Sequence, residues 1–104
     1  MNHFTDRAAF NAISSQEVWR FRAAKPAGSH LTGAYFTTLD RRSPNLCARL
    51  RIPRRKIEHV FCFTGDTGLR PLEGGRGAYI FWSPTDYEVG RARQVYNGLT
   101  ESMP

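Results

Sequence analysis

Short apolar runs separated by polar punctuation organise this chain. His3-Phe4-Thr5 reads as the end of a short strand, and Thr5 then offers a helix N-cap with Asp6 in the first turn. Ala9, Phe10 and Ile13 recur at helical spacing until Ser14-Ser15 breaks the pattern. Residues 18–22 alternate apolar and basic side chains, which predicts a short strand, and residues 25–29 carry the Pro, Gly and Ser of a loop. Residues 34–38 are aromatic and β-branched, a second strand. Ser43-Pro44 predicts a helix start, with Leu46, Cys47 and Leu50 on one face, Arg49 and Arg51 elsewhere, and Pro53 as the stop. Residues 57–64 read as a strong strand and 65–68 as a turn. Residues 78–82 are nearly all apolar, which predicts a central strand covered on both faces. After a turn at 83–86, residues 87–96 form a last strand, with helix as the alternative. The order β–α–β–β–α–β–β–β makes one α+β domain over residues 1–104, with two short helices and a mostly antiparallel sheet.

Size and charge refine this. One hundred and four residues suit a single modest core, and 40% hydrophobic with 12% aromatic residues argues against disorder. No run approaches the ~18–20 apolar residues of a membrane span. No apolar run follows Met1, so no signal peptide is expected and the domain reads as soluble. Net charge is +6, and residues 41–56 hold seven basic side chains (Arg41, Arg42, Arg49, Arg51, Arg54, Arg55, Lys56) and no acid. Such a segment attracts a polyanion: a dinucleotide's pyrophosphate, RNA or DNA, or an acidic partner such as an immunity protein. A solvated basic helix and loop is the plainer alternative.

Several chemistries are excluded by spacing. Cys47 and Cys62 are too far apart for a C-x-x-C site, and both sit among apolar neighbours as small buried hydrophobes. His3, His30 and His59 lack i, i+4 spacing and a completing ligand set for zinc. The glycines at 65, 68, 74, 75 and 77 form neither GxGxxG after a strand nor a P-loop.

What remains is a histidine, a tyrosine and an acid on three segments in fixed order. Here the chain resembles the small ADP-ribosyltransferase domains of bacterial polymorphic toxins that carry a His-Tyr-Asp signature, and more distantly the rifampicin-modifying ADP-ribosyltransferases. His3-Phe4-Thr5 and the helix to Ile13 match the opening of that pattern, and Gly33, Tyr35 and Asp40 its second strand. Arg54-Arg55-Lys56, residues 59–63 and Thr67-Gly68-Leu69 match the basic lead, strand and turn; residues 78–82 with Pro84-Thr85-Asp86 match its close. In that family such domains usually end a much longer protein, whereas His3 nearly opens this chain.

The resemblance implies a split, mostly antiparallel sheet and NAD as co-substrate, with no metal. Phe4 and Thr5 would flank His3 in cofactor binding. The His3 ring would donate to the adenine-side ribose, Tyr35 would stack on the nicotinamide, and a late carboxylate would stabilise the cation that develops as the nicotinamide–ribose bond breaks. Asp86 fits the closing segment best; Glu88, two residues on, and Asp66, after an earlier strand, are the alternatives. The expected activity is transfer of ADP-ribose to a nucleic acid or protein, as a toxin or effector acting in a target cell's cytoplasm. An NAD glycohydrolase and a non-catalytic basic nucleic-acid-binding module are the rivals.

Overall fold

A computed structural model of the chain describes residues 1–24, 31–72 and 79–104. His30, the expected loop at 25–29, the glycines at 74, 75 and 77, and Ala78 lie outside the described residues.

The strands are β1 (Asn2–Thr5), β2 (Trp19–Phe21), β3 (Ala34–Thr37), β4 (His59–Phe63), β5 (Arg70–Pro71), β6 (Ile80–Ser83), β7 (Tyr87–Val89) and β8 (Gln94–Leu99), with helices α1 (Arg7–Ser14) and α2 (Leu46–Leu50). Six strands form one antiparallel sheet in the order β5-β6-β3-β1-β4-β8, and β2 pairs with β7 in a separate ribbon. Among the described residues the fold is therefore α+β with a divided antiparallel sheet and two short helices.

Each face of the large sheet has its own core. On one face Trp19, Phe21, Ala34, Phe36, Phe61, Phe63, Tyr87 and Val89 are buried together, with Phe10 and Ile13 of α1 against them. Phe21 meets Phe36 and Phe61 edge-on at 5.2 and 5.4 Å, and Phe36 meets Phe63 at 5.4 Å. Such pairs contribute about 0.5–1.5 kcal/mol each beyond the area they bury. On the other face Phe4, Leu46, Val60, Cys62 and Met103 are buried, with Leu50, Ile52 and Ile57 packed on them. All five residues of β4 are buried, because the strand supplies Phe61 and Phe63 to one core and Val60 and Cys62 to the other.

Several sequence expectations need correction. Thr5 stays in β1, paired with His59, and Asp6 caps α1 instead, its carboxylate accepting from the Ala9 N–H at 2.9 Å. Ser43-Pro44 does not start α2. The Ser43 hydroxyl accepts from the Asp40 N–H and its own N–H donates to the Asp40 carbonyl, so it closes a turn. The helix begins after Asn45, in the left-handed conformation at φ 55°. Residue 57 belongs to a 3-10 turn, Arg54–Ile57, and not to β4. The apolar run ending at Trp82 is one strand in from an edge, and its Phe81 and Trp82 are half-buried, not covered on both faces. Residues 87–96 are not one strand: Gly90 and a 3-10 turn, Arg91–Arg93, send β7 to the small ribbon and β8 to the large sheet. Cys62 is buried as expected, while Cys47 is half-buried.

Candidate functional site

The large sheet loosens next to β1. β1 pairs with β4 at four positions, but with β3 only at Asn2–Thr37. The antiparallel direction carries Phe4 and Thr5 toward Tyr35 and Ala34, where no further pairing occurs. A side chain spans this interval: His3 Nδ1 lies 2.9 Å from the main-chain oxygen of Tyr35.

That contact determines the histidine's chemistry. A carbonyl only accepts, so Nδ1 carries the proton. The ring packs against Phe21 at 4.7 Å and Phe36 at 5.5 Å. Burial pushes its pKa below the ordinary 6.5; the bond to the Tyr35 carbonyl opposes that and the Lys56 charge adds to it. A neutral ring protonated at Nδ1 presents a lone pair at Nε2, which makes no hydrogen bond among the described residues. With Nδ1–H committed to the Tyr35 carbonyl, Nε2 of the neutral ring can accept a hydrogen bond but has no proton to donate. Of its expected companions, Phe4 and Thr5 are buried, Phe4 in the core opposite the His3 ring.

Tyr35 brings its main chain to His3 and its ring to the other face. Ala34 and Phe36 point into the core that holds the His3 ring, so strand alternation turns Tyr35 away from it. The Tyr35 hydroxyl donates to the Leu31 carbonyl. Its cross-strand neighbour is Trp82, whose own neighbour on β5 is Arg70. Trp82 lies close over Gly33: a Cβ there would sit 2.9 Å from Trp82 Cε3 and 2.6 Å from the Ser83 oxygen. Gly33 is therefore needed for close approach and not for an unusual backbone angle. Nothing in the sequence marked the Tyr35–Trp82–Arg70 row, because its register is a property of the paired strands.

The three candidate acids have separate settings. Asp86 Oδ1 accepts from the Ala23 N–H at 2.8 Å and Oδ2 pairs with Arg20 at 3.0 Å. The Ala23 N–H, with the Arg20 guanidinium, holds its pKa below the usual carboxylate value, so it is ionised at neutral pH. Ala24 bridges to Gly33, and Ser83 pairs with Ala34, so this carboxylate stands beside the first residues of β3. Glu88 is exposed opposite Arg20 on the ribbon, on the side away from buried Tyr87 and Val89. Asp66 lies exposed in the turn after β4, where its carbonyl accepts from Leu69. Asp40 caps its own turn, accepting from the Arg42 N–H.

His59 is buried and stacks on Phe10 at 4.6 Å. Among the described residues no three His, Cys, Asp or Glu side chains come together as a metal group, and no helix is long and apolar enough to cross a membrane. A surface cavity of ≈ 490 Å³ is lined by Trp19, Arg91, Gln94, Val95, Tyr96 and Asn97. It holds no histidine, cysteine or carboxylate, so the His3–Tyr35 contact at the β1–β3 interval is the better chemical candidate. No protein-family model, curated protein or solved structure matches the chain.

Proposed function

We propose that this chain is an NAD-dependent ADP-ribosyltransferase. The observation that carries the reading is the contact of two distant segments where β1 and β3 part: a neutral imidazole with an open acceptor nitrogen lies on the carbonyl of a tyrosine, and an ionised carboxylate, Asp86, is held by Ala23, next to the residue bridged to Gly33 at the head of β3. The rings of His3 and Tyr35 face opposite sides of the sheet, so only a flexible ligand with two separated halves, passing round the end where β1 and β3 part, reaches both. NAD is such a ligand. His3 Nε2 accepts from the adenine-side ribose, Tyr35 offers its ring to the nicotinamide, and the interval between the strands lies between them.

In the reaction the ribose C1–nicotinamide N1 bond breaks and its electron pair stays on the nicotinamide, which leaves neutral. Positive charge grows on the ribose as this happens, and a fixed carboxylate stabilises it without having to reorganise. The acceptor's lone pair then bonds to C1, and its proton passes to solvent. Asp86 is the acid of choice because it stands beside β3 while Glu88 points outward from the ribbon.

Nicotinamide release from NAD tests this. Asp86→Asn keeps an oxygen for the Ala23 N–H and removes the charge; release should fall by about 10²–10³. Glu88→Gln should leave it unchanged, and the reverse result would move the acid to Glu88. Label trapped on a macromolecule marks transfer, while free ADP-ribose alone marks the glycohydrolase. Intact protein that releases no nicotinamide with any acceptor tried refutes the proposal.

A further inference from the structure

The half of the sheet formed by β3, β6 and β5 presents a surface that the reaction above does not fully use. Tyr35, Trp82 and Arg70 are direct cross-strand neighbours, so the three side chains share one face in a single row. Trp82 is half-buried and Arg70 exposed. Neither Tyr35 nor Trp82 belongs to the core that α2 and the Arg54–Ile57 turn build on this face. That core covers β1 and β4 and leaves the row at its margin.

The covering elements are themselves basic. α2 and the turn belong to the acid-free segment 41–56. The Arg49 guanidinium of α2 sits over the Tyr79 ring at 4.6 Å, which links the helix to the residue that leads into β6. Arg42, Arg51, Arg54 and Arg55 are exposed and form no ion pair among the described residues. The aromatic row and α2 therefore occupy the same side of the sheet, while Lys56 of the turn pairs with Asp6 at the start of α1 at 2.9 Å. Flat rings next to a guanidinium, beside a basic tract without acids, match a ligand of unpaired bases on a phosphate backbone. They match a folded acidic protein less well, because a carboxylate surface has no use for the rings.

We propose that this face binds a single-stranded polynucleotide, with a base stacked on Trp82 and phosphates held by Arg70 and the exposed arginines of residues 41–56. The proposal stands independently of NAD. If the transfer reading holds, the bound strand is the ADP-ribose acceptor.

The experiment is fluorescence anisotropy with labelled oligoribonucleotide and oligodeoxyribonucleotide of about 12 nucleotides, without NAD, at low and moderate salt. Saturable binding to either strand is expected, and it should weaken as salt rises. Trp82→Ala should weaken it about 5- to 100-fold, Trp82→Phe should keep most of it, and Arg70→Gln should lower the salt slope by about one. Arg70 is exposed on a two-residue edge strand, so that variant reports binding even if Trp82→Ala fails to fold. A ribose preference identifies RNA, and equal affinity identifies contacts to base and phosphate alone. Absence of saturable binding overturns the proposal, as does binding indifferent to both Trp82→Phe and Arg70→Gln, or binding confined to duplexes. Because NAD is absent from the assay, failure here and failure of nicotinamide release are read separately.

Discussion

His3 has two nitrogens with different work, and substitution can part them. Nδ1–H donates to the Tyr35 carbonyl at 2.9 Å and holds β1 to β3 where strand pairing stops; in the proposed reaction Nε2 would be the nitrogen offered to the ribose. His3→Asn keeps an N–H near the position of Nδ1 and deletes Nε2. His3→Ala deletes both. A neutral hydrogen bond contributes ~0.5–1.5 kcal/mol, so loss of Nε2 should lower kcat/KM for NAD by about 2- to 12-fold. The asparagine also loses ring contact with Phe21 and Phe36, at a cost of about 1–2 kcal/mol. The alanine loses that contact, the tether and core volume, about 2–4 kcal/mol together, which lowers Tm by about 10–20 °C. Nicotinamide release at varied NAD measures the first effect and thermal melting followed by circular dichroism the second. A folded His3→Asn protein with unchanged kcat/KM would remove Nε2 from the site. Equal melting of the two variants would show that the tether to Tyr35 holds nothing.

Two more predictions concern the same region. Gly33→Ala forces a Cβ to within 2.6 Å of the Ser83 oxygen and 2.9 Å of Trp82, so about 1–3 kcal/mol of stability and a shift in tryptophan emission are expected; wild-type melting and emission would contradict this close packing. The depressed pKa of His3 predicts a specific pH trend. As pH falls below 6.5 the unfolded chain takes up the proton first, so stability declines from there until the lower folded value is passed, and above 6.5 the group contributes nothing. Urea midpoints at about pH 7.5 and about pH 5.5 should differ less in His3→Asn than in the wild type, and an identical difference in both proteins would mean the ring is not held neutral.

Local chemistry was legible wherever one residue's own preferences settle the matter. The apolar pattern determined the α+β class, the strands at β1, β3 and β4, and the glycine turn at 65–68, whose two glycines have φ near +82° and +83°. It also marked the acid-free basic segment. Where two local signals competed, a neighbour decided: Asp40 took Ser43 from its helix, and His59 kept Thr5 in β1. The division of residues 87–96 between two sheets had the same kind of cause, since Gly90 and the Arg91–Arg93 turn redirect the chain while each half remains a good strand.

The candidate site was legible as residue types but not as a geometry. A sequence orders His3, Tyr35 and Asp86 along a line; only strand register decides that the first two have their rings on opposite faces and that Trp82 and Arg70 stand beside the second. The proton's place on His3 is likewise tertiary, because it depends on a carbonyl 32 residues away. The physical reason is one of range. Propensity and periodicity act within a few residues, whereas side-chain facing, burial and tautomer follow from partners brought in by the packing of two cores against one sheet.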